Sequence, residues 1–103
     1  DAARAVSMFN KMEVPILGIV ENMSYLQMED GSVRRLFGEG GGEQLAGWAK
    51  APLLANIPIE ESVREGGDTG VPVVVRDPNS RSAKVLMGLA MSVAARMSMV
   101  VLG

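Results

Sequence analysis

Apolar positions recur along the chain with two different periods, and the alternation between them sets the expected elements. In residues 1–12, Ala2, Ala5, Val6 and Phe9 fall on one face at helical spacing, which predicts an amphipathic helix with Asp1 as its N-cap. Pro15 blocks its continuation. Residues 14–20 (VPILGIV) form a nearly unbroken apolar run, the pattern of a strand buried on both faces of a parallel sheet. A small hairpin is predicted over 25–28 and 33–37, turning at Asp30-Gly31, a pair that tolerates positive φ. Residues 38–42 (GEGGG) read as a flexible loop, and 43–50 as a helix with Leu45, Ala46 and Ala49 inward and Trp48 partly buried. Residues 53–57 (LLANI) give a second buried strand, which Pro58 ends. A short helical turn is expected over 60–65. A turn-rich connection through Gly66, Gly67, Asp68 and Gly70 follows, then a short edge segment over 72–75. Asp77-Pro78-Asn79-Ser80 opens the last helix, with Asn79 or Ser80 as N-cap. Ala83, Leu86, Met87, Ala90, Val93, Ala94 and Met97 mark its apolar stripe, which ends near Met97.

Strands alternating with helices imply an α/β layer architecture around a parallel sheet. Two core strands are few for such a sheet, whose faces and edges need cover. Upstream sequence, a second copy or an exchanged strand could supply it. The chain starts at Asp1 without Met and runs straight into a helix, so residues 1–103 are expected to be one piece of a larger domain.

Composition narrows the function classes. The net charge is -2 with no basic block, which argues against nucleic acid as a partner. No apolar run approaches the length of a membrane span, the most apolar stretch lying near residues 97–102, and no signal peptide is evident. With no Cys and no His, disulfides, thiolate metal sites, zinc and haem ligation are not expected. A soluble cytoplasmic protein is the expectation. Of the eight Met residues, Met87, Met91 and Met97 lie in or near a helical stripe and read as core.

Three residues stand where ligands bind in open α/β sheets, past the carboxyl ends of the strands. Asn22 either closes a loop onto its own backbone or offers its amide to a base edge. Pro58 and Glu60 lie past the second strand, where Pro58 reads as the strand's end and Glu60 as part of a first helical turn favoured by the macrodipole. Gly40, Gly41 and Gly42 precede a helix whose amides could hold an anion, but no Lys follows at phosphate-loop spacing, and a tight loop is the plainer reading. Residues 64–68 (REGGD) read as a structural turn with a solvated charge pair, or as a subunit contact.

Five segments in this order resemble the Mrp/ApbC-type P-loop ATPases, a MinD/ParA-like family of iron–sulfur cluster carriers. They are DAARAVSMFNKMEVPILGIVENMSY (1–25), LFGEGGGEQLA (36–46), ANIPIEESVREGGDTGVPVV (55–74), the turn at 77–80 and the final helix. The resemblance implies the C-terminal half of a P-loop NTPase fold: a partial three-layer parallel sheet with a β-hairpin insert. It implies that Asn22 contacts the adenine of ATP, Pro58 forms an apolar wall and Glu60 accepts a ribose hydroxyl, although similar proteins often carry Asp at that last position. It further implies a homodimer or a missing N-terminal half, iron–sulfur client proteins, and ATP with Mg in the parent protein. Two departures matter. No G-x-x-x-x-G-K-[ST] segment occurs, so this chain is not expected to hydrolyse ATP alone. Many similar proteins carry a Cys-x-x-Cys pair after the ENMSY-like segment; Met28 and Gly31 stand there and supply no thiolate for an iron–sulfur cluster. A non-catalytic interaction module and a fragment of a MinD-like partitioning ATPase are the other readings. The second is disfavoured by the uncharged residues 97–103, which lack the basic residues of a membrane-targeting helix.

Overall fold

The computed structural model describes residues 2–35 and 40–102. Asp1, the expected N-cap, and residues 36–39, where the predicted hairpin ends and the glycine loop begins, lie outside them.

Helix α1 (Ala2–Lys11) forms where the apolar spacing places it, with Val6 buried. The chain leaves it through Glu13 in the left-handed region (φ 57°) and runs extended past Pro15. The strand expected over 14–20 pairs only at its end, as β1 (Ile19–Glu21), and Val20 is 40% exposed. Its partner is β4 (Leu53–Asn56), parallel, with Ile19 opposite Leu53, Val20 opposite Ala55 and Glu21 opposite Asn56. An apolar run signals a strand but not how many neighbours it has. Among the described residues β1 has one. Between β1 and β4 come the hairpin strands β2 (Leu26–Gln27) and β3 (Val33–Arg34), antiparallel to each other. Only Gly31 of the Asp-Gly pair takes positive φ, at 88°. Asp30 instead accepts the Ser32 N–H (2.8 Å) and O–H (2.6 Å), while the Gly31 N–H donates to the Met28 carbonyl (3.0 Å).

Helix α2 (Gly41–Ala49) starts earlier than predicted, so Gly41 and Gly42 are helical rather than loop. The absence of a side chain is what allows this: a Cβ on Gly42 would lie 3.1 Å from Glu21 Cβ and Leu53 Cδ1. Trp48 is more open than expected, 53% exposed, on the surface between α2 and α1.

The helical turn expected over 60–65 extends through the expected turn-rich connection, and the expected edge segment is also helical. Residues 61–69 form α3 (Glu61–Thr69), which absorbs Gly66, Gly67 and Asp68. Its exposed face carries Glu61, Arg64 and Asp68, and Arg64 pairs with both carboxylates. Its inner face holds Gly66, where a Cβ would sit 2.5 Å from the Val71 carbonyl oxygen. The expected edge segment is the short helix α4 (Val73–Arg76); among the described residues no strand pairs with it to reward the β-branched run, and burial of Val73 holds the turn instead.

Helix α5 (Arg81–Leu102) is capped by Ser80, whose hydroxyl accepts the Ala83 N–H at 3.1 Å, and it runs well beyond Met97. Its predicted core stripe is corrected. Ala83 is fully buried, but Met87 (56%), Met91 (72%) and Met97 (44%) are exposed. A helix apolar on nearly every side offers no unique stripe to read. Val85 and Leu89 turn toward the strands, and Arg96 Nε donates to the Leu17 carbonyl at 2.7 Å. The stretch from Arg81 to Val100 is long and apolar enough to cross a membrane by length and composition alone. The expectation that no run approaches that length is therefore also corrected: Lys84 and Arg96 interrupt the run without lowering its average enough.

The side chains of adjacent β4 residues diverge, Leu53 toward α2 and Leu54 toward α5, which gives the α/β/α layering expected around a sheet only two strands wide. The radius of gyration is 15.3 Å, against about 13 Å for a compact chain of this length.

Candidate functional site

Both parallel strands end in a polar residue, and the pairing register sets Glu21 of β1 beside Asn56 of β4. The ladder then continues past both strands. The Ile57 N–H donates to the Glu21 carbonyl (2.8 Å), the Ser24 N–H to the Ile57 carbonyl (2.8 Å) and the Ile59 N–H to the Tyr25 carbonyl (2.7 Å). Segments 21–25 and 56–59 are thereby zipped together, and the three sequence-predicted residues lie on or just beyond them.

Asn22 is exposed at the turn leaving β1, and Met23 after it is left-handed (φ 51°). The Asn22 Oδ1 accepts the Met23 N–H at 2.9 Å. This is the loop-closing arrangement, and it leaves the side-chain NH₂ exposed as a donor. Pro58 is buried where β4 ends. Glu60 is the residue before α3, yet its carboxylate does not cap that helix. It reaches the next long one, accepting the Ser82 N–H at the start of α5. Charge and orphan amide meet there, since the first N–H groups of a helix have no intrahelical partner. Asn22 and Pro58 therefore share the zipped segment, while Glu60 faces the first turn of α5.

A second polar group was not singled out from the sequence: Glu21, Ser24, Arg35 and Asn56. The Ser24 hydroxyl donates to Glu21 Oε2, lies 3.3 Å from Asn56 Oδ1 and accepts Arg35 Nη1–H at 3.1 Å. The Arg35 guanidinium also sits 5.7 Å from the centre of the Tyr25 ring. The other Glu21 oxygen, Oε1, accepts the Gly42 N–H at 2.9 Å. The anion at the glycine-rich start of α2 is thus the protein's own carboxylate. The Ser24 hydroxyl, against the opposing effect of burial, holds Glu21 below the usual carboxylate pKa, with help from the Gly42 N–H and the Arg35 charge. Glu21, Arg35, Gly40, Glu43 and Asn56 surround a cavity of about 320 Å³. The signal for this group was present in the sequence: a polar residue closes each of two otherwise apolar runs, Glu21 after IV and Asn56 after LLA.

The positions that stand for the paired cysteines of similar proteins, Met28 and Gly31, flank the hairpin turn, with Met28 37% exposed and open space around the Gly31 Cα. Neither carries a thiolate.

Comparison with known proteins bears on the family and the fold. An iron–sulfur cluster carrier protein of Synechocystis is 49% identical over 99% of this chain. A protein of Arabidopsis thaliana described as an iron–sulfur protein required for NADH dehydrogenase, mitochondrial, is 45% identical over 90% of it. The chain spans about 30% of the length of each of these relatives. Among solved structures, the cell division ATPase MinD of Pyrococcus furiosus superimposes with a TM-score of 0.66 at 27% identity, covering 90% of this chain and 35% of that one. The ParA family described as NUBPL iron-transfer P-loop NTPase matches residues 1–94, and with its motifs on the parallel strand ends described above, the chain belongs to that family.

Proposed function

We propose that residues 1–103 are the C-terminal part of an ATP-binding iron–sulfur cluster carrier, and that they supply the wall against which the adenine rests. The observation that carries this reading is the zipped pair of segments past β1 and β4, which sets the exposed Asn22 amide and the Pro58 corner side by side at the carboxyl end of a parallel sheet. The Asn22 NH₂ would donate to an acceptor on the base edge, and Pro58 would shape the wall from beneath. Glu60 keeps one oxygen for a ribose hydroxyl while the other holds α5 in place. Phosphate and Mg would be held by a phosphate loop, which this sequence lacks. The cluster would be cargo rather than a resident group, and with Met28 and Gly31 at the hairpin its ligands would have to come from elsewhere.

Surface area supports the partial reading. The chain exposes 7313 Å², against about 5,600 Å² for a folded monomer of its mass. The excess is of the order buried in a protein interface, as a missing N-terminal half or a second subunit would require. We place the protein in the cytoplasm, working with iron–sulfur clients.

The test is ATP titration by calorimetry, in the longer polypeptide that joins this chain to a phosphate loop. Asn22→Ala should weaken ATP there by about 5- to 20-fold, the loss of one or two hydrogen bonds, and leave inorganic triphosphate unaffected. Equal losses for both ligands, or none, would defeat the base-wall assignment. A second reading, a non-catalytic interaction module, is favoured by the exposed edge of β4 and the exposed Met87 and Met91; it requires that no nucleotide bind at all. The third reading, a MinD-like partitioning ATPase fragment, shares the fold of the Pyrococcus protein and would bind ATP without iron.

A further inference from the structure

A cleft of about 600 Å³ runs along β4, and Leu54, Ala55 and Asn56 all line it. Successive strand side chains point to opposite faces, so three consecutive lining residues mean that β4 presents its edge. The hydrogen bonds agree. Both backbone groups of Ile57 are engaged toward the β1 side, with Glu21 and with Ser24. Alternation then turns the N–H and C=O of Asn56 the other way, toward the cleft. Among the described residues β4 pairs with β1 alone.

The walls define what would fit against that edge. Val33 of the hairpin and Val85 and Leu89 of α5 are apolar, and no carboxylate is among the lining residues. Two cations are, Arg35 and Arg81. Arg81 is the first residue of α5, where the helix dipole disfavours a positive charge. It has no ion-pair partner among the described residues. The Glu60 carboxylate is held on the Ser82 N–H of the same first turn, and Arg81, exposed and in no ion pair among the described residues, is placed to meet an anion brought to the open strand edge. A strand edge bounded by apolar walls selects an extended chain over a free ion.

We propose that this cleft binds an extended segment of a partner protein, with alternating apolar and acidic residues, as an added strand on the free edge of β4. The backbone would pair with Asn56, the apolar side chains would enter between Val33, Val85 and Leu89, and the carboxylates would meet Arg35 and Arg81. The cleft adjoins the adenine wall, but none of Asn22, Pro58 and Glu60 lines it, so the proposal stands whether or not nucleotide binds.

The experiment uses the 103-residue chain and a fluorescent hexapeptide, Glu-Val-Asp-Val-Glu-Val, followed by anisotropy. Saturable binding is expected, at least about tenfold tighter than for the same peptide with Lys at the acidic positions, and weakened about tenfold by Arg81→Glu. Methylation of alternate peptide nitrogens should abolish it, and amide exchange at Asn56 should slow when the unmethylated peptide is bound. Arg81→Glu leaves the Ser24 network intact, so a loss there reports the cleft; Arg35→Glu is a second variant, with circular dichroism to confirm that it folds. Any of four results overturns the proposal: no saturable binding, equal affinity for acidic and basic peptides, full affinity after methylation, or complete displacement by inorganic phosphate or ATP. Protection of Asn56 by self-association without peptide, seen with dimers in sedimentation, would give the edge to a second copy and overturn it as well.

Discussion

One hydroxyl joins the ends of the two parallel strands. Ser24 is buried, donates to the Glu21 carboxylate and accepts from Arg35, so the charge on Glu21 is compensated on both sides. Its pKa lies below that of the unfolded chain, so its contribution to stability is present in full above the ordinary glutamate value of 4.5 and is lost as pH falls through the lower folded value. Glu21→Gln should therefore cost about 1–2 kcal/mol at neutral pH and make the acid side of the stability profile flatter; urea unfolding at a series of pH values reads both. Ser82 behaves oppositely. It is fully buried and its hydroxyl finds no partner among the described residues, so Ser82→Ala should raise stability by about 1 kcal/mol, seen as a higher melting temperature. Of the candidate site residues the sequence pointed to Asn22, Pro58 and Glu60 through the resemblance, because they sit in recognisable motifs. Glu21, Ser24 and Arg35 are near one another in the chain, but Asn56 joins them only through the β1–β4 pairing across about thirty residues, so the polar ends of the two apolar runs could be read while their meeting could not.

At the scale of elements, propensity misled wherever glycine or β-branched residues were held by their surroundings. REGGD spells a turn, yet α3 runs through it because Gly66 lies tight against Val71 and the outer face carries the Glu61–Arg64–Asp68 pairs. The two glycines should respond in opposite directions. Gly66→Ala forces a Cβ against backbone and should destabilise by about 1–3 kcal/mol. Gly67→Ala meets nothing within 4 Å and should stabilise by roughly 0.5–1 kcal/mol. Thermal melts of the two variants, measured side by side, decide the matter. Where side-chain chemistry fixed an end, the reading held. Ser80 caps α5 as its position predicts, and Pro58 stands where β4 stops. The end of α5 and the direction of its apolar face were not legible, since methionine and alanine occur on every side of it.

At the scale of the molecule, the α/β/α order was legible from alternating periods, but the extent of the sheet was not, because an apolar run carries no count of its neighbours. The exposed Met87, Met91, Met97, Met99 and Val100 form a broad apolar surface on α5. The isolated chain should therefore bind a hydrophobic dye and self-associate with rising concentration, and, on the proposed reading as a partial domain, joining it to an N-terminal half should suppress both. A strictly monomeric chain that leaves the dye dark would mean that this surface is stable in water as it stands. The same chain should bind ATP more weakly than micromolar, measured calorimetrically, because base contacts alone position a nucleotide poorly.

The pairing of Glu21 with Asn56 also has a consequence in time. The two strands lie on either side of a hairpin and a helix, and parallel pairing cannot begin until both are available. During synthesis β1 emerges first and has no partner from this region until residue 56 has left the ribosome, a few seconds later at about 5–20 residues per second. Through that interval the β4-facing edge of β1, with Ile19 and Val20, waits for its partner. The strand-end site, which needs Glu21 and Asn56 side by side, therefore forms only after β4 has appeared.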